Sequence, residues 1–272
     1  MTQTNADIQR LAADEIAAFK KSFAEDGYFT VKNAIPAEPL AELHKSITGE
    51  FDRKKAAGEL FAGGGLVSGH LNCFPGAGTR FIYDVLEARG IIDLVRELDP
   101  NIKSLPNIGC NFNLPGSVTQ HYHADRYYTG HFMIVNIAIV DTTLENGAID
   151  MVPGTHKKFY PYWKFAMEAP YRNAIRLPAK RGDILVRNSN VWHRGMPNKT
   201  SVARPMVAFT WEDGGSVHED PWAVEGGKIV FRPNWFRPNA IGRLRERMFV
   251  SVPASYSAYR FMASLTGKGY SS

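Results

Sequence analysis

Residues 119–128 read TQHYHADRYY and place His123 and Asp125 two positions apart. On a strand, alternate residues share a face, so the imidazole and the carboxylate can converge on one ion. A second imidazole is available in VWHRGMPN (191–198), where His193 lies on another short β-rich run. Two His and one carboxylate occupy one face of an octahedron and leave three positions open. That arrangement suits non-haem Fe(II) better than zinc, which prefers tetrahedral closure or a single open position. His121 shares the strand face and competes for the same role. Eleven residues after His193, Arg204 follows a Pro-Asn turn and returns on the neighbouring strand. Its guanidinium suits a bidentate clamp on a carboxylate.

Working outward, short β-rich runs fill residues 102–212, separated by Gly, Pro and Asn turns. The expected strands are 106–113, 119–125, 131–140, 148–152, 173–177, 183–187, 191–195 and 203–211. Eight such runs predict an antiparallel sandwich or barrel. A long interruption at 153–172 carries PGTHKKFYPYWKF, and a long aromatic and basic loop inside a β domain is more often functional than decorative.

Helices are expected on both sides of this core. Ile16, Phe19 and Phe23 recur at helical spacing, with Asp14 as N-cap. GYFTVKNAI follows as a short strand. Pro36 opens a second helix with Leu40, Leu43 and Ile47 on one face. Residues 63–65 and 74–78 read as Gly-rich loops, and 80–100 as helix, break, helix. From Gly226 onward there are eight Lys and Arg against Glu246 alone, an excess of seven positive charges in a chain whose net charge is +5. This predicts a basic helical tail, folded back on the domain or laid on an anionic membrane surface. One domain is expected: residues 1–101 as helical support, 102–212 as catalytic core and 213–272 as basic extension.

With 44% hydrophobic and 22% charged residues, the chain can bury a substantial core. No apolar run is long enough for a transmembrane helix, and no secretory signal pattern opens the chain. Cys73 and Cys110 form no zinc signature or disulfide framework, which points to a reducing cytoplasm. No nucleic-acid motif is present, so no nucleic-acid partner is expected.

Several motifs taken in order resemble the phytanoyl-CoA dioxygenase family of 2-oxoglutarate oxygenases. They are DGYFTVKNAI, QHYHAD (120–125), LENGAIDMVPGTHK (144–157), RGDILVRNSNVWHRGMPN (181–198) and Arg204. The resemblance implies a double-stranded β-helix of the jelly-roll or cupin type, mainly β with flanking α. It implies Fe(II) on His123, Asp125 and His193, 2-oxoglutarate on Arg204, and dioxygen as co-substrate. Asn107 and Asn111 match polar side chains that contact the inner part of 2-oxoglutarate in relatives. Halogenating relatives lack the carboxylate ligand, so Asp125 implies hydroxylation, with desaturation or ring formation as variants. Relatives often carry Ser two residues after the distal His. Here that residue is Gly195, so another group must replace the hydroxyl contact. His156 and Lys157 read as caps of a turn that closes the barrel.

Substrate contacts are expected at the barrel mouth from Arg126, Tyr127, Tyr128, Trp163 and Arg194. Tyr160, Tyr162, Lys157, Lys158 and Lys164 lie on the insertion. Cations interleaved with aromatics suit an anionic or carrier-linked small molecule. Two other readings stand beside the oxygenase: a metal-binding barrel that does not use 2-oxoglutarate, and a catalytically silent barrel. Arg204 argues against the first, and retention of all four residues against the second.

Overall fold

The computed structural model describes residues 9–60, 64–126, 130–233 and 236–266. In chain order the elements are α1 (Ala13–Asp26), β1 (Tyr28–Val31), α2 (Ala37–Ala56), β2 (His70–Phe74), α3 (Arg80–Ala88) and α4 (Ile91–Leu98). There follow β3 (Asn107–Asn113), β4 (Met133–Ala138), β5 (Ile149–Met151), α5 (Tyr162–Glu168), β6 (Ile175–Leu177), β7 (Ile184–Asn188), β8 (His193–Arg194) and β9 (Arg204–Thr210). The last are β10 (Val230–Arg232), α6 (Ala240–Ser251) and α7 (Pro253–Leu265).

Strand alternation divides the larger sheet into two environments. The sheet is antiparallel with order β1-β7-β4-β9-β3-β2-β10. Cys110 and Phe112 of β3, Val135 and Ile137 of β4, Ile184 and Val186 of β7, and Val207 and Phe209 of β9 all enter one apolar core. Leu40, Leu43 and Ile47 of α2 join them, as do Ile82 and Leu86 of α3 and Ile91, Ile92 and Val95 of α4. The alternate residues of the same strands, among them Asn111, Asn136, Arg187 and Arg204, face a cavity. A smaller sheet, β6-β5-β8, lines that cavity through Ile149, His193 and Arg194. The fold is a double-stranded β-helix with flanking helices.

Several expectations need correction. Ala12 rather than Asp14 is the N-cap of α1, and Glu15 accepts from its backbone N–H at 2.8 Å. Residues 119–125 make a broken ladder instead of a strand. Gln120 bonds to Gly195 and His123 to His193, so three steps on one segment face two on the other and the register slips. Regular pairing cannot survive that slip. β2 and β10 were not expected: HLNCF and VFR are too short and too polar to stand out by pattern, and they form because β3 offers an edge to β2, and β2 to β10. Within 153–172 the chain forms α5 instead of a continuous loop.

The basic tail folds back. Glu246 of α6 is fully buried and accepts from the Ser68 N–H at 2.9 Å, the Ser68 hydroxyl at 2.8 Å and the Gly65 N–H at 3.3 Å. Replacing it with Ala strands these donors in the interior. Chemical denaturation of Glu246→Ala should show a loss on the order of 3 kcal/mol, the scale for unpaired buried polar groups. Unchanged stability would mean that Glu246 does not hold α6 to the barrel.

Candidate metal centre

The site is built around a single bridge between two chain segments. The His123 N–H donates to the His193 carbonyl and the His193 N–H to the His123 carbonyl, both at 2.9 Å. Residues exchanging both bonds are directly opposed and put their side chains on one side. The two imidazoles accordingly lie with ring centroids 4.4 Å apart. Two residues on, Asp125 is held by its N–H to the Ser189 carbonyl. Its carboxylate lies 3.7 Å from His123 Nε2 and 3.6 Å from His193 Nε2. One ligand atom from each of the three residues falls within 4.8 Å of the others. The three residues expected to share an ion are thus brought together.

Protonation follows from the backbone. Nδ1 of His123 faces the His121 carbonyl at 2.8 Å, and Nδ1 of His193 faces the Val191 carbonyl at 3.0 Å. A carbonyl only accepts, so each Nδ1 carries the proton and each Nε2 presents a bare lone pair. Burial lowers the pKa of both rings, His193 to about 3, and Arg187 adds to the effect. Burial pushes the Asp125 carboxyl up, but the Arg187 guanidinium beside it acts the other way, and the carboxyl is held below the usual carboxylate range. Two neutral imidazoles and an ionised carboxylate form a donor set for a divalent cation.

Arg187 is a site residue that the sequence reading missed. Its Nη1 donates to Asp125 Oδ2 at 2.6 Å, and its Nε to Asn136 Oδ1 at 3.0 Å. The signal was present: an Arg in the apolar run ILVRN, in phase with Leu185 and out of phase with Ile184 and Val186. His121, the competing imidazole, turns away. It packs against Tyr256 at 4.7 Å, and its Nδ1 lies 3.4 Å from the Ser257 hydroxyl.

Arg204 sits on β9 opposite Asn113, only 5% exposed, and lines the same cavity of about 1060 Å³. Its guanidinium donates to the carbonyls of Gly147 at 3.1 Å and Asn146 at 3.5 Å. Among the described residues no carboxylate lies within 4.0 Å of it. Burial brings its pKa down to about 10. The carbonyls are presented by a turn that needs glycine: Gly147 has φ of 96°, and a Cβ there would meet the Met196 carbonyl at 2.6 Å. Asn111 lines the cavity. Asn107, on the same strand face but paired with Thr210 at the far end of β3, does not.

The missing hydroxyl at Gly195 has a structural counterpart. Gln120 Oε1 accepts from the Gly195 N–H at 2.8 Å, and a Cβ at that position would meet the same oxygen at 2.6 Å. Glycine therefore admits the Gln120 side chain to the cavity wall.

The expected substrate residues separate. Arg194 lines the cavity, bonds to Asp150 Oδ2 at 2.8 Å and stacks on Tyr122 at 4.1 Å. Arg126 pairs with Asp213 at 2.5 Å and does not line the cavity. Trp163, on α5, donates its backbone N–H to the Ser264 hydroxyl at 2.9 Å, and Tyr162 lines the cavity in its place. Lys158 and Lys164 pair with Glu168 at the surface. His156 packs beside Phe23 of α1. Tyr127 and Tyr128 lie outside the described residues. The cavity is roofed by the tail, through Phe249, Pro253, Tyr256, Ser257 and Arg260.

Against known proteins, the sequence model of the phytanoyl-CoA dioxygenase family, Phytanoyl-CoA dioxygenase (PhyH), matches residues 23–206. Dioxygenase lolE1 of Epichloe uncinata is 32% identical over 108 residues, 37% of this chain and 42% of that relative, so the match spans less than half of the relative's length. The epimerase SnoN, in a crystal structure with Fe3+, alpha ketoglutarate and nogalamycin RO, shares the fold at a TM-score of 0.56 and 18% identity, over 73% of this chain and 84% of SnoN. EctD from S. alaskensis with bound Fe gives a TM-score of 0.55 at 18% identity, over 75% of this chain and 78% of EctD.

Because Arg187 orients Asp125, it should govern metal affinity without touching the ion. Titration of the metal-free protein with Fe(II) under anaerobic conditions should show Arg187→Met binding roughly 10- to 100-fold more weakly, the usual effect of losing a partner behind a metal ligand. Equal affinities would remove Arg187 from the centre.

Proposed function

The chain belongs to the phytanoyl-CoA dioxygenase family, and from that premise we propose that it is an Fe(II)- and 2-oxoglutarate-dependent oxygenase that hydroxylates a small molecule. The observation that carries this reading is the pairing of two features in one cavity. One is a His, Asp, His cluster with bare Nε2 atoms; the other is a buried guanidinium with no carboxylate partner among the described residues. The donor set fits ferrous iron, because it supplies three ligands on one side and leaves the cavity side open for further oxygen ligands. When bound, ferrous iron with 2-oxoglutarate and dioxygen supplies C–H oxidation coupled to decarboxylation of 2-oxoglutarate to succinate and carbon dioxide.

The chain's own residues then have distinct roles. His123, Asp125 and His193 hold the ion. Arg187 keeps the Asp125 carboxylate ionised and fixed in orientation. Arg204 takes the far carboxylate of 2-oxoglutarate, which supplies the negative charge its environment lacks, and Asn111 and Gln120 offer polar contacts along the wall. The tail roof keeps bulk water from the centre, which strengthens each of these interactions. We place Arg194 and Tyr162 near the substrate, and Asn107, Arg126 and Trp163 outside direct contact.

Reconstitution with Fe(II), 2-oxoglutarate and oxygen should release succinate, and His193→Ala should abolish it. Arg204→Met should retain Fe(II) while weakening 2-oxoglutarate by about 30-fold or more, the lower end for breaking a buried charge pair. Metal binding without 2-oxoglutarate binding in the natural chain would favour a metal-binding barrel of another kind.

A second contact is proposed for the tail. Ile241, Leu244 and Met248 are exposed on α6, Val252 just after it, and Tyr259, Met262 and Leu265 on α7. Arg243, Arg245 and Arg247 lie among them. This supports peripheral contact with an anionic membrane, although among the described residues no helix is long and apolar enough to cross one. Sedimentation with phosphatidylserine vesicles should capture the full chain and lose most of it with Leu244→Asp and Met248→Asp together. Equal partition of the two proteins would end the idea.

A further inference from the structure

Five guanidiniums line the cavity: Arg187, Arg194, Arg204, Arg232 and Arg260. Three have carboxylate partners, Arg187 with Asp125, Arg194 with Asp150 and Arg232 with Glu225. Two have none among the described residues. Under the reading above, on which this inference rests, 2-oxoglutarate answers Arg204. Nothing in that reading answers Arg260.

Arg260 lies on α7 and is 7% exposed. Its Nη1 donates to the Tyr122 carbonyl at 2.5 Å, while Nε is buried without any acceptor among the described residues. Aromatic rings surround it, Tyr162 at 4.2 Å, Tyr256 at 5.7 Å and Trp192 at 5.8 Å. Ring faces favour a cation but do not neutralise one. A buried charge without a counter-ion is costly, and an anion that enters the cavity relieves the cost. Asp150, bonded to the side chain of the same Tyr122, is already engaged by Arg194.

Placement gives the site its use. The carbonyl that Arg260 holds belongs to Tyr122, between His121 and the proposed ligand His123. Arg260 lines the same cavity as His123 and His193. Ser257 and His121 line the same part of the wall. The family match ends at residue 206, so this cation comes from a part of the chain that the shared sequence pattern does not include.

We propose that Arg260 is the specificity-determining anchor for an anionic group, a carboxylate or a phosphate, on the substrate of this cavity. The purely structural alternative is that Arg260 only pins α7 to α5. An anchor predicts selectivity for ligand charge; a pin does not.

The test uses the full chain loaded with Mn(II) and saturating 2-oxoglutarate, so that Arg204 is filled before any probe is added. Calorimetry then compares 3-phenylpropanoate and cyclohexanecarboxylate with their amides, and phenyl phosphate with phenol. At least one anionic probe should bind about 10- to 100-fold more tightly than its neutral counterpart, the span of a charge-assisted hydrogen bond. Arg260→Met should erase that preference while leaving 2-oxoglutarate affinity within about threefold, since distant sites act independently. Arg260→Lys, which keeps the charge but not the planar fork, should retain part of it and serves if the Met variant does not fold. The proposal is overturned if no anion is preferred, if no probe binds at millimolar concentration, or if the preference survives in Arg260→Met. Failure of the oxygenase reading looks different: Mn(II) and 2-oxoglutarate would not bind, while the anion preference and its loss in the variant would persist in the unloaded chain.

Discussion

The reciprocal pair of backbone hydrogen bonds between His123 and His193 sets the geometry from which the rest of the site follows. Because each residue both donates and accepts, the two Cα atoms are fixed opposite one another and their imidazoles must share a side. Each ring is then oriented by its own chain, through Nδ1 and the carbonyl two residues earlier. The proposed metal ligands are therefore aligned by the fold before any ion arrives, so binding need not also order them. The broken ladder around this bridge is part of the same arrangement. A continuous strand over 119–125 would pair regularly with its neighbour, whereas the register slip lets Gln120, His123 and Asp125 each take a separate backbone partner.

Charge is distributed around this bridge by a consistent rule. Cations close to the fixed carboxylates are paired, and the buried cations without carboxylates point into the cavity. Arg187 pairs with Asp125 and Arg126 with Glu212, so each carboxylate lining the cavity among the described residues has a cationic partner. An incoming carboxylate then meets unpaired guanidinium and little competing negative charge. A deep cavity lined in this way strengthens each interaction, because there is little water to screen it. Burial costs Arg204 and Arg260 hydration, and the pKa of each falls with it.

Much of this was legible in the sequence where the information is local. Short β-rich runs between turn residues marked β4, β7 and β9, and helical spacing marked α1 and α2. The spacing from His123 to Asp125 identified the two groups that meet, and the turn between His193 and Arg204 was read from Pro197 and Asn198. What was missed depended on partners distant in the chain. β2 and β10 are stabilised mainly by neighbouring strand edges, which no short pattern records. Arg187 was readable in principle from its phase within ILVRN. The basic insertion misled because its pairing was overlooked: Glu168 stands four residues after Lys164 and could have been read as its partner. Arg260 was hidden among the charges of the tail. Its burial follows from α7 packing over Tyr122 and Tyr162, a tertiary event without a sequence signature.

These differences suggest a division of labour between the barrel and its tail. The barrel supplies features that one bridge, one turn and one pattern of alternation can fix: the proposed ion site and carboxylate clamp. Those features tolerate little change, since a one-residue slip of a strand would carry Arg204 to the opposite face of the sheet. The tail has different constraints. Helices α6 and α7 lean on the barrel through Glu246 at one end and Arg260 at the other, and the cavity wall between them is made of Phe249, Pro253, Tyr256 and Ser257. None of these four side chains takes part in the backbone bridge itself. A roof built in this way can alter what the cavity accepts while the chemistry beneath it stays the same, and Arg260, without a carboxylate partner among the described residues, sits on that roof.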